Sequence, residues 1–194
     1  MLEPHSKLDI DWDDFNKRLD NVDGVERKPA PHITLRQMIA DGEKYYNTDN
    51  CAHHCYTNDN FQEWLPKDFL SAEGYTGQTL IRVIELPPAS FTEPHVDAYT
   101  QSRKKYRWVD RTIKRLWIPC ADYKMGHALF MGDDQVVTNY NAGDCFDITP
   151  WQNTLHSGVN AGVELRRTMT ITGTVDVQRT RNGESIKKFN TVIN

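Results

Sequence analysis

The pattern of apolar and polar positions changes character near Thr79. Upstream, apolar residues recur at helical spacing. In the segment 34–46, TLRQMIADGEKYY, Leu35, Met38 and Ile39 form one stripe. Thr34 with Gln37 three positions on makes a capping box at its start. A second helix is predicted over NDNFQEWL, 58–65, and ends near Pro66. The asparagine-rich stretch between them reads as a loop. From Thr79 the apolar runs shorten and fill with branched and aromatic residues. TLIRVIEL, stopped by Pro87-Pro88, then TIKRLWIP, HALFMG, QVVTNY and CFDI each predict a strand, with a turn at Asn141–Asp144. The longest such run is VELRRTMTITGTVDV. After it, Asn182-Gly183 centres a hairpin turn with strands at Thr174–Thr180 and Ser185–Val192. Many short strands at close spacing point to a β-sandwich or barrel. The expected organisation is a single domain over 1–194: a helical N-terminal part, about 1–75, packed on a β core, about 79–194.

Alternation inside the longest strand adds chemistry. Arg166, Thr168, Thr170 and Thr172 share one face, and Arg167, Met169 and Ile171 share the other. The second set is ordinary core packing with Arg167 at the strand's end. The first is a polar row. Burying it is costly unless something occupies it. A dicarboxylate would serve, paired two-point with Arg166 and hydrogen bonded by Thr168. A solvent-facing strand is the alternative.

Metal-ligand residues come next. His95 and Asp97 are two apart, so on an extended chain they face the same way. A third ligand would complete a facial triad with open positions, the arrangement of iron(II) oxygenases. His156, in WQNTLHSGVN, is the best candidate. Alone, a His-x-Asp pair is weak evidence, because many are surface residues or hydrogen-bonded loops. Cys51-Ala52-His53-His54-Cys55 resembles half of a zinc site, but no second such pair exists. It reads better as a polar loop with buried thiols.

Bulk properties narrow the classes. The 194 residues suit one domain, and the net charge of -4 offers no electrostatic footprint for nucleic acid. The basic cluster Arg103, Lys104, Lys105, Arg107 and Arg111 reads either as a solvated loop or as a docking site for an acidic substrate. No apolar run approaches the roughly 20 residues of a membrane helix. The acidic N-terminus lacks a signal peptide's pattern, so the expectation is a cytoplasmic protein with reduced cysteines.

These residues resemble the double-stranded β-helix dioxygenases that depend on iron(II) and 2-oxoglutarate. The chain is most similar to their aspartyl/asparaginyl β-hydroxylase group, which includes bacterial proline hydroxylases. The resemblance rests on PPASFTEPHVD, KRLWIP, NAGDCFDITPWQNTLHSGVN and LRRTMTITG, within about residues 80–173. It implies a double-stranded β-helix (jelly-roll, cupin-like) fold. It also implies iron(II) held by His95, Asp97 and His156, 2-oxoglutarate bound by Arg166 with Thr168 and Arg115, and O2 as oxidant. The implied enzyme hydroxylates an aliphatic C–H, of an amino acid free or in a peptide. The group often has Arg-x-His where this chain has Arg115-Leu116-Trp117, which leaves the contacts to the cosubstrate's other end open. Two other readings stay in play: a cupin-like metal-binding or sensing protein without turnover, and an oxygenase of the same fold acting on a non-peptide small molecule.

Overall fold

The computed structural model describes residues 2–27, 53–97, 99–108, 111–132, 135–151 and 153–176. The helix expected over 34–46 and the Asn-Gly hairpin beyond Asp176 lie outside these residues. Eleven strands are described: β1 (Ser6–Lys7), β2 (Val25–Arg27), β3 (His53–Tyr56), β4 (Tyr75–Leu86), β5 (Ser90–Phe91), β6 (Thr112–Pro119), β7 (His127–Met131), β8 (Gln135–Val137), β9 (Asp144–Asp147), β10 (His156–Asn160) and β11 (Arg166–Val175). Three helices accompany them: α1 (Trp12–Leu19), α2 (Phe69–Ala72) and α3 (Thr100–Lys105).

The strands form a seven-stranded sheet, β1-β9-β6-β11-β4-β3-β2, and a four-stranded sheet, β5-β10-β7-β8. Every pairing is antiparallel. Trp117 and Phe146 of the large sheet pack on Leu129, Met131 and Val137 of the small one, together with Tyr140 and Ile148. Two antiparallel sheets closed over a shared interior make this a double-stranded β-helix.

The outer face of the large sheet is a second core. There Ile81, Val83, Leu116, Ile118, Met169 and Ile171 meet Phe15, Leu19, Phe61, Leu65 and Phe69 from the N-terminal segment. Helix α1 forms for local reasons. Asp11 accepts from the Asp14 amide at 2.9 Å, acids fill the first turn and bases the last. Phe15 and Leu19, one turn apart, supply its buried face.

Strand register separates the two faces of β11. Arg166, Thr168, Thr170 and Thr172 pair with Leu86, Ile84, Arg82 and Leu80 of β4, while Thr168, Thr170 and Thr172 also pair with Pro119, Trp117 and Arg115 of β6. Residues directly opposite share a face, so the polar row points inward with Trp117. It is buried, with Arg166 2% exposed, so the solvent-facing alternative falls. Arg167 faces outward, where its Nε donates to Glu85 at 2.7 Å and its Nη2 pairs with Asp20.

Several local expectations are corrected. The segment 58–65 forms a 3₁₀ helix, Asp59–Trp64, capped by the Asn58 side chain, because Pro66 stops the turn before an α-helix can extend. His53, His54 and Cys55 sit in β3, paired with β4, where a loop was expected. The N-terminal segment is therefore not only helical: it adds β1, β2 and β3 to the large sheet. The basic cluster's Arg103, Lys104 and Lys105 end α3 instead of lying in a loop, which suits the negative end of a helix. Of the described cysteines, Cys55, Cys120 and Cys145 are free and buried. Burial pushes the Cys145 thiol up to about 12, so it stays protonated. Among the described residues no helix is long and apolar enough to cross a membrane.

Candidate metal centre

His95 follows β5, and His156 opens β10. The two are directly opposite in an antiparallel bridge. Each donates its backbone amide to the other's carbonyl, at 3.0 and 2.9 Å. Their rings therefore project to one side, with centroids 4.4 Å apart. Asp97, two residues past His95, closes the group: ligand atoms of His95, Asp97 and His156 all lie within 4.8 Å of one another.

Hydrogen bonding sets the tautomers. His95 Nδ1 lies 2.6 Å from the carbonyl of Glu93, and His156 Nδ1 lies 2.9 Å from that of Thr154. A carbonyl only accepts, so both Nδ1 atoms carry the proton and both Nε2 atoms present lone pairs. His156 Nε2 is 3.2 Å from Asp97 Oδ2, yet makes no hydrogen bond. Two acceptors face each other. Burial, opposed by the Thr154 carbonyl and aided by the positive Arg115, depresses the His156 imidazole to about 4. The ring is neutral near pH 7. Converging lone pairs on two imidazoles and a carboxylate are a donor set for a divalent transition metal, so the residues present fit such an ion.

Arg115 of β6 pairs with the same Asp97 oxygen. Its Nη1 also lies 3.4 Å from the Tyr99 hydroxyl, and its guanidinium stands over the Tyr99 ring. Burial, with nearby Arg82 adding to it, lowers its pKa to about 10, so it remains charged. Tyr99 occupies the left-handed region, φ 51°, at the turn from Asp97 into α3.

Arg166 lies deeper, on the interior face of β11. Its Nη1 is so close to β10 that a Cβ on Gly158 would stand 2.8 Å from it, so any larger residue there displaces the guanidinium. Gly158 is two residues past His156, on the same face of β10. The Arg166 guanidinium lies 5.4 Å from the Trp117 ring centroid, over its face. Tyr140's hydroxyl is its polar neighbour. Its Nε and Nη2, both buried, have no hydrogen-bond partner. Those two nitrogens share one edge of the guanidinium, the edge that grips a carboxylate with two parallel bonds.

The residues singled out in the sequence thus sit in one interior. His95, Asp97 and His156 converge, Arg115 touches Asp97, and Arg166 and Thr168 follow on the adjoining wall. Trp117, which stands where the resembled group has a histidine, backs Arg166. Sequence reasoning missed Tyr140, Tyr99, Gly158 and Arg82. An arginine inside the apolar row Leu80, Ile84, Leu86 was the readable signal for Arg82. Nothing comparable marked Tyr140. Cys51 lies outside the described residues, and His53, His54 and Cys55 join no metal cluster among the described residues, while His127 is buried with its Nε2 on the Glu164 carbonyl at 3.1 Å.

No protein-family model matches the chain, and a search of curated proteins finds no match. Similar solved structures include a sugar phosphate isomerase of the cupin superfamily from Silicibacter pomeroyi. It is 12% identical over 89% of this chain and 77% of that one, with a TM-score of 0.43. A cupin-2 domain protein from Rhodospirillum rubrum is 10% identical over 80% and 72%, with a TM-score of 0.40. A protein with a double-stranded β-helix domain from Klebsiella pneumoniae is 15% identical over 53% and 72%, with a TM-score of 0.36. None of the three is described as a 2-oxoglutarate oxygenase, and likeness at this level assigns neither substrate nor metal.

Proposed function

We propose that the protein is an iron(II)- and 2-oxoglutarate-dependent dioxygenase that hydroxylates an aliphatic C–H of an amino acid. The observation that carries this reading is the open edge of Arg166. A buried guanidinium whose Nε and Nη2 lack partners is costly, and a ligand carboxylate in that place offsets the cost. A two-histidine, one-carboxylate group lies on the neighbouring wall of the same interior. A metal-binding or sensing protein without turnover has no use for such an edge.

When bound, iron and 2-oxoglutarate supply the oxidising chemistry: O2 is divided between decarboxylation of the 2-oxo acid to succinate and CO2 and hydroxylation of the C–H bond. The chain's own residues do the positioning. His95 and His156 would hold the ion through Nε2, each ring fixed by its Nδ1–H on a carbonyl. Asp97 would be the third ligand, steadied by Arg115. Arg166 would receive the distal carboxylate, with Thr168 on the same face of β11 and the Tyr140 hydroxyl nearby. Trp117 and Phe146 exclude water from that end, which strengthens the charge pairing.

The test separates metal from cosubstrate. With Mn(II) as a redox-quiet stand-in, His95→Ala should lose metal binding. Arg166→Leu should keep it and weaken 2-oxoglutarate binding by roughly 10- to 150-fold, the worth of hydrogen bonds to a charged group. Unchanged 2-oxoglutarate affinity in Arg166→Leu sinks the reading.

A further inference from the structure

The inward rows of β4, β6 and β11 carry three guanidiniums, Arg82, Arg115 and Arg166, and no acid. Two have assigned partners. Arg115 is held by Asp97, and Arg166 faces the distal carboxylate of the proposed cosubstrate. The cosubstrate's other carboxyl end would lie at the metal. Arg82 is left over. It lies opposite Thr170, one strand away from Trp117 across β11. Its Nε is buried without a hydrogen-bond partner, and among the described residues its guanidinium meets no carboxylate. Along the same inward face of β11, Arg82 stands opposite Thr170 and Arg115, which touches Asp97, stands opposite Thr172. A half-buried cation with no counter-charge is unfavourable on its own. Its flanking inward residues, Leu80, Ile84 and Leu86, are apolar and give it no counter-charge.

We infer that Arg82 receives the carboxylate of the substrate, so that the hydroxylated molecule is a small carboxylic acid. Arg82 is then a specificity residue, distinct from the metal ligands and from the Arg166 subsite. The inference rests on the proposed function for the identity of the other ligands. It follows that a free amino acid fits and that a peptide blocked at its carboxyl end does not.

The test is binding to the full chain, saturated with Mn(II) and 2-oxoglutarate without oxygen. The probes are the free L-amino acids and the C-terminal amide of each. The expected result is at least one acid that binds, with its amide weaker by tenfold or more. Arg82→Leu, which continues the apolar row of its neighbours, should abolish acid binding and leave 2-oxoglutarate affinity within about twofold; Arg82→Lys should restore part of it. Binding of no acid, equal binding of acid and amide, or full acid binding by Arg82→Leu overturns the inference. Because 2-oxoglutarate binding is measured first, its failure is seen separately. The acid panel is then run on the Mn(II) protein alone and judged by the same Arg82 dependence.

Discussion

At Gly158 a single methyl group separates binding from folding. An alanine there brings its Cβ to 2.8 Å from Arg166 Nη1, with Leu86 and Thr92 atoms at 3.6 Å. The backbone tolerates the change, since alanine suits a strand better than glycine. The guanidinium must move instead. Gly158→Ala should therefore cut 2-oxoglutarate affinity by about tenfold or more, while metal affinity and melting temperature change little. Calorimetric titration checks it, and unchanged cosubstrate affinity would mean that Arg166 does not position the ligand. Residues at this scale were unevenly legible. His95, Asp97, His156 and Arg166 are readable by type and spacing only in combination. Gly158 and Tyr140 do not, because their roles depend on which strands face each other, and that is set by pairings far apart in sequence.

The strand β11 is the element on which the two faces divide. Alternation placed Arg167 on the face opposite Arg166, and its partners Glu85 and Asp20 lie there. Arg167→Ala should leave 2-oxoglutarate binding untouched and lower stability by about 1–3 kcal/mol, because Glu85 loses a charged donor and keeps only Tyr56 at 2.9 Å. Denaturant melts measure this, and lost cosubstrate binding would contradict the phasing. A second outward contact joins α2 to β6. Lys114 Nζ donates to the Glu73 carbonyl and carboxylate at 2.8 and 2.9 Å, and His5 lies 2.8 Å from the same carboxylate. Burial alone would raise the Glu73 carboxyl, but the bond from Lys114 holds it below its ordinary 4.5. A depressed carboxyl contributes stability above its unfolded value and loses it as pH falls through the lower folded one. Glu73→Gln should flatten the stability loss below about pH 4.5, read from thermal melts across acid pH. Lys114→Met should cost about 1–3 kcal/mol at neutral pH, because the buried carboxylate loses its charged donor and keeps His5. The strands β6, β7, β9 and β11 were readable from short branched runs bounded by turns. The two-residue β1 and β5 were not, since so short a strand owes its existence to its partner and not to its own residues. Likewise β3 pairs through backbone, so a His- and Cys-rich composition hid it.

For the molecule as a whole, the double-stranded β-helix brings residues from β4, β6, β10 and β11 and from the segment after β5 around one interior. An ion held by His95, Asp97 and His156 binds only the folded chain. Mn(II) at 100 times its dissociation constant should therefore stabilise it by about 2.7 kcal/mol. A chelator should reverse the gain, and His156→Ala should show none. The fold's general type was legible from strand count and spacing, whereas the closure of two sheets over Trp117 was not, because it depends on long-range order.

The most direct measurement of the central claim joins metal and cosubstrate. Iron(II) is added to the full chain without oxygen, followed by 2-oxoglutarate, and then air is admitted. A weak visible charge-transfer band that needs both additions, followed by succinate on admitting air, and the loss of both signals in His95→Ala, is the result predicted. Confirmed iron binding with neither band nor succinate would contradict the account.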